Sequence, residues 1–162
     1  MSREPTALNS VDEDSRERTG EHSMAQPRSV DLLLSMLLAI DLLLFAGGAT
    51  AHLHVPIPLG FVTWVEPLVL PASIIEGVGA VSLVGAFAAI VSRATLANRL
   101  TWWVLWYCFA GVLWGLARLA LGSIPEANTV TNDFLHIAMI LVTTLALVRL
   151  AGTAPDTDKR GN

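Results

Sequence analysis

A single cysteine, Cys108, is all the thiol the chain possesses. That excludes an intrachain disulfide and any cysteine-rich metal site, and within its apolar run the residue reads as a small core side chain. Lysine and arginine are missing altogether from segments 52–67 and 122–133. Elsewhere they are too few and too scattered for a nucleic-acid surface, so no nucleic acid is expected as a partner. The strict alternation of apolar and polar residues that barrel strands require is absent too, as is any internal repeat. Charge is crowded into the first 28 residues, one short link and the tail, so the net charge of −4 says little by itself.

What fills the middle is apolar. Residues of that kind make up 53% of the chain, and four windows, 30–51, 68–92, 100–121 and 134–151, each approach the roughly 20 residues needed to cross about 30 Å of hydrocarbon. In lipid only helices or closed barrels satisfy their own backbone polar groups. The expected fold is therefore all-α, a four-transmembrane-helix antiparallel bundle over residues 29–151 whose main partner is the lipid bilayer. Segments 1–28 and 152–162 are polar, mixed in charge and without an apolar period, so they read as disordered tails.

Basic residues orient the bundle. Arg28 precedes the first window, Arg93 and Arg99 flank the link between the second and third, and Arg149, Lys159 and Arg160 follow the fourth. By the positive-inside rule both termini face the cytoplasm, and the segments holding His54 and Glu126 face outward. Trp102, Trp103 and Trp106 fall at the cytoplasmic end of the third window, where an aromatic belt belongs. A competing reading takes Arg28, the first apolar run and Ala49-Thr50-Ala51 as a secretory signal cleaved before His52. Against it, the run exceeds the usual length of about 7–15 residues, contains Asp41 and follows a long acidic segment.

Ionisable groups inside a bilayer cost a few kcal/mol, so each one at depth calls for an explanation. Asp41 falls near the midplane, on one helical stripe with Phe45, Gly48 and His52. Pro67 or Pro71 opens the second helix, which places Glu76 one to two turns below the outer surface. Antiparallel threading brings Arg118 and His136 to a comparable depth. Arg118 either pairs with Glu76 or reaches the headgroups, Glu126 or Asp133. Asn132 or Asp133 caps the fourth helix. The candidate ligand-binding residues are Asp41, Glu66, Glu76, Arg118, Asn132 and His136. A transition metal would draw on His52, His54, His136 and Glu76.

The stretches "IIEGVGAVSLVGAFAAIVSR" at 74–93 and "AGGATAHL" at 46–53 resemble the second helix and the end of the first helix of DoxX-like four-helix membrane proteins. His52-Leu53, Glu66-Pro67, Pro71-Ala72 with Glu76-Gly77, and Asn132 with His136 are similar to motifs of a group of uncharacterised bacterial membrane proteins. The resemblance implies a bacterial plasma (inner) membrane and an accessory role in quinone-linked or other redox chemistry. Three functions stay open. One is a ligand site for a transition metal or quinone at the outer end of the bundle. The others are a structural or assembly subunit, with a membrane partner or as a homo-oligomer, and a small proton-coupled carrier using Asp41 and Glu76.

Overall fold

The computed structural model describes residues 30–58, 60, 63–122 and 129–153. The expected tails and Glu126 lie outside the described residues. Helices α1 (Leu32–Ala51), α2 (Leu70–Val91), α3 (Ala97–Ala120) and α4 (Val130–Gly152) account for most of it, with a short hairpin, β1 (Ile57–Pro58) and β2 (Thr63–Trp64), between α1 and α2. All four helices are long and apolar enough to cross a membrane. The expected all-α bundle is therefore the observed one.

Each helix starts where local chemistry satisfies its first amides. Asp31 caps α1, accepting a hydrogen bond from Leu34 N at 3.1 Å. Pro71 lies in the first turn of α2, as its missing N–H favours. Thr129 caps α4, accepting from Asn132 N at 3.1 Å. This moves the start of α4 from the expected position 134 to Val130 and corrects the cap: Asn132 and Asp133 sit inside the first turn. The link between α2 and α3 is shorter than expected, because Arg93 turns the chain sharply in the left-handed region at φ +56° and α3 begins by Ala97. The hairpin was not foreseen; its antiparallel ladder pairs Ile57 with Trp64 and Pro58 with Thr63.

The helices form a ring in which each packs against its neighbours in sequence and α4 closes against α1. Their antiparallel order is fixed at both ends. At the hairpin end Ser73 Oγ at the start of α2 donates to the Ala49 carbonyl late in α1 (2.9 Å). At the opposite end Arg149 Nε late in α4 donates to Asp31 Oδ2 (2.8 Å).

The distribution of polarity is inverted relative to a water-soluble bundle. Outward faces carry large apolar side chains such as Leu43, 72% exposed, and Val81, 75% exposed. Buried positions include Ser35, Asp41, Ser73, Glu76, Thr101, Asn132, His136 and Thr143. A surface of this kind has no stable place in water and suits lipid. Cys108 is buried among the core side chains, in keeping with its expected packing role.

Halfway along the bundle, Thr143 Oγ1 of α4 donates to the carboxyl of Asp41 on α1, 3.0 Å from Oδ1 and 2.9 Å from Oδ2. This is an interhelical tie between two fully enclosed groups. Thr143→Val removes the only hydroxyl on that carboxyl among the described hydrogen bonds and should cost about 1–2 kcal/mol in detergent unfolding. Asp41→Leu in the same chain should recover much of that loss, because two apolar partners leave nothing unsatisfied. Strictly additive losses would contradict the tie.

Candidate functional site

At the hairpin end the bundle encloses a cavity of about 80 Å³ to which all four helices contribute. Its inner wall is made by buried side chains: Phe45, His52, Glu76, Val112, Asn132 and His136. Its rim is made by more exposed ones, Pro71 and Ile75 of α2 and Trp114, Arg118 and Leu119 of α3. The pocket therefore reaches the surface between α2 and α3.

Two glycines make room for the polar groups. A Cβ at Gly48 of α1 would come within 2.6 Å of Glu76 Oε2, and one at Gly115 of α3 within 3.0 Å of His136 Nε2. Without these two gaps neither side chain could occupy its present position. Glu76 is 5% exposed, and its Oε2 has no hydrogen-bond partner. Its Oε1 lies 3.6 Å from His52 Nε2.

That contact is not an ion pair. Burial, reinforced by the neighbouring His136, pulls the pKa of His52 below its ordinary value of 6.5, against weaker opposing effects of Glu66 and the Pro67 carbonyl. His52 is accordingly neutral at pH 7. His136 Nδ1 lies 2.8 Å from the carbonyl of Asn132. A carbonyl can only accept, so Nδ1 carries the proton and, in the neutral ring, Nε2 is left as an acceptor. It is this acceptor nitrogen that lies against Gly115.

Glu66 serves a different purpose. It is 1% exposed and ties the hairpin to α4. Its carboxylate accepts from Trp64 Nε1 at 2.7 Å and from Thr129 Oγ1 at 3.0 and 2.9 Å. Thr129 in turn caps α4, so a carboxylate, a hydroxyl and a helix N-terminus form one chain. His54, left-handed at φ +62°, donates from Nδ1 to the Glu66 carbonyl at 2.9 Å and is otherwise exposed.

Of the residues expected from sequence, His52, Glu76, Arg118, Asn132 and His136 share the cavity. Asp41 does not: Phe45, one turn above it on the same face, lies between, and Asp41 is held by Thr143. His54 and Glu66 belong to the hairpin lid. Arg118 lines the rim and makes no ion pair with Glu76 or Asp133 among the described residues. Nor, among the described residues, do three His, Cys, Asp or Glu side chains come together as metal ligands. The set His52, His54, His136 and Glu76 is thus not assembled, because His54 faces away.

Thr129, Trp64 and Gly115 are the members that sequence reasoning missed, and Gly48 was placed on the inward stripe without its role beside Glu76. A threonine three residues before Asn132 is an N-cap signal, whereas nothing local marks the two glycines as making room for distant side chains.

No family model, curated protein or solved structure matches the chain.

The lowered pKa of His52 has a definite sign in stability. The unfolded chain takes up a proton that the folded chain refuses, so stability is complete above about pH 6.5 and is lost as pH falls below it. Melting in detergent from about pH 7.5 to about pH 5 should slope downward. His52→Asn should flatten that slope, and an unaltered slope in a folded variant would contradict the assignment.

Proposed function

We propose that the protein is a ligand-binding, multi-pass protein of a bacterial plasma membrane, with both termini in the cytoplasm and the hairpin on the outer face. In this reading the cavity takes the polar head of a small molecule that arrives from the bilayer between α2 and α3. The observation that carries it is a buried Glu76 that lines a cavity with an apolar rim and whose Oε2 has no hydrogen-bond partner among the described residues. A group of this kind is costly to keep unless something periodically satisfies it. The distribution of Arg93 and Arg149 supports the orientation, and the Glu76-Gly77 motif supports kinship with DoxX-like proteins.

The cavity favours a small hydrogen-bond donor over the transition metal or quinone expected from sequence. A volume of about 80 Å³ holds on the order of six water-sized groups. A substituted quinone ring is larger, and its carbonyls would meet the acceptors Glu76 Oε2 and His136 Nε2. A transition metal would need ligands beyond those that converge here. A carrier alternating between Glu76 and Asp41 would have to pass Phe45. An accessory redox role would require an electron carrier from outside, given a lone, buried Cys108.

A second reading, an assembly subunit, draws support from the Asp41–Thr143 and Glu66–Thr129 ties, which lock helices without any chemistry. Purification in a mild detergent distinguishes the two. The wild-type chain should carry a small molecule, detected by native mass spectrometry, that is lost in Ala72→Phe, a substitution that fills the cavity beside its rim. Equal ligand content in both proteins, or none in either together with stable association with a larger complex, would favour the assembly reading.

A further inference from the structure

The cavity is polarised along its length. Its inner wall offers acceptors: the carboxyl of Glu76, whose Oε2 has no partner among the described residues, and, in the neutral ring, His136 Nε2. Its rim offers a cation, Arg118, with no carboxylate in ion-pairing distance among the described residues. Beyond Arg118 the opening is framed by Pro71, Ile75 and Trp114, all apolar bodies on the lipid side. A complementary molecule has the reverse order. It leads with a cationic donor, carries an anion a few atoms behind, and ends in something apolar or in nothing at all.

We propose that the cavity binds a primary-amine head group with a phosphate behind it, the amine at Glu76 and His136 and the phosphate at Arg118. This rests on the reading of the cavity as a ligand site and names its ligand class. An ammonium has three N–H donors, enough for both acceptors, and a charge to match a carboxylate. The guanidinium suits a phosphate, which it can hold with two parallel hydrogen bonds. The aminoethyl arm is short enough for a cavity of about 80 Å³. Two sources share this chemistry: an amine-bearing phospholipid entering between α2 and α3, and free phosphoethanolamine from the aqueous side. A quaternary amine of equal charge has no N–H to give, and an alcohol head group has no charge.

The test uses the full chain, delipidated in detergent and offered defined phospholipids with identical acyl chains, bound lipid being counted by native mass spectrometry. Phosphatidylethanolamine should be retained at least about tenfold over phosphatidylcholine and phosphatidylglycerol, as expected for charge-assisted hydrogen bonds. Glu76→Gln should abolish that preference, and Arg118→Gln should lower the retention of all three lipids, which share the phosphate. Arg118 is partly exposed, so its variant keeps the test valid if Glu76→Gln fails to fold. Free phosphoethanolamine that raises the melting temperature of the wild type but not of Arg118→Gln, with no selectivity among lipids, would assign the same chemistry to the soluble source. Equal retention of the three lipids with no effect of phosphoethanolamine would overturn the proposal. So would a preference that a folded Glu76→Gln preserves, or a retention of the three lipids that Arg118→Gln leaves unchanged. If a different molecule co-purifies and is lost in Ala72→Phe, the cavity is still a ligand site and only the amine-phosphate assignment fails.

Discussion

Helices whose outward faces are as apolar as lipid leave their polar side chains one place to go, the space between them. An unsatisfied polar group in hydrocarbon costs several kcal/mol, whereas inside the bundle it can find a hydroxyl, a carbonyl or water. Buried groups on three of the helices obey that constraint. Asp41 meets Thr143 across α1 and α4, and Ser73 meets the Ala49 carbonyl across α1 and α2. The apolar effect that folds soluble proteins is weak between helices already in lipid, so these ties together with close packing set the arrangement.

Glu76 departs from the pattern. The other buried carboxylates, Asp41 and Glu66, are each met by hydroxyl or indole donors. Glu76 has His52 at 3.6 Å and no hydrogen-bond partner at Oε2 among the described residues, and that oxygen packs into the place a Cβ would take at Gly48. Gly115 makes the same kind of room for His136. A buried carboxyl oxygen left without a partner in the wall of a cavity is what sets this end of the bundle apart. Glu66 serves a separate purpose, fastening the end of the hairpin to the N-cap of α4.

Much of this was legible in the sequence. Four apolar windows, their limits to within a few residues and the inward stripe of Asp41, Phe45, Gly48 and His52 follow from composition and the helical repeat. So does the gathering of Glu76, Arg118 and His136 at one depth. The partners were not legible, because they are set by packing between helices far apart in the chain. Nothing near Thr143 marks it as the partner of a residue 102 positions away. His52 and His54 are two residues apart, yet one is buried and the other turned outward, and that split comes from the left-handed turn at His54. Residue type identified the polar groups at depth, and backbone geometry decided which of them meet.

The inverted distribution of polarity underlies both the membrane setting and the cavity, and spin labelling addresses it directly. Labels placed singly at Leu43, Val81 and Val148 on outward faces, in protein reconstituted into bilayers, should collide with dissolved oxygen far more than with a water-soluble nickel chelate. A label at Thr143 should be immobile and reached by neither. High chelate accessibility at the three outward positions, or a mobile label at Thr143, would contradict an inside-out bundle.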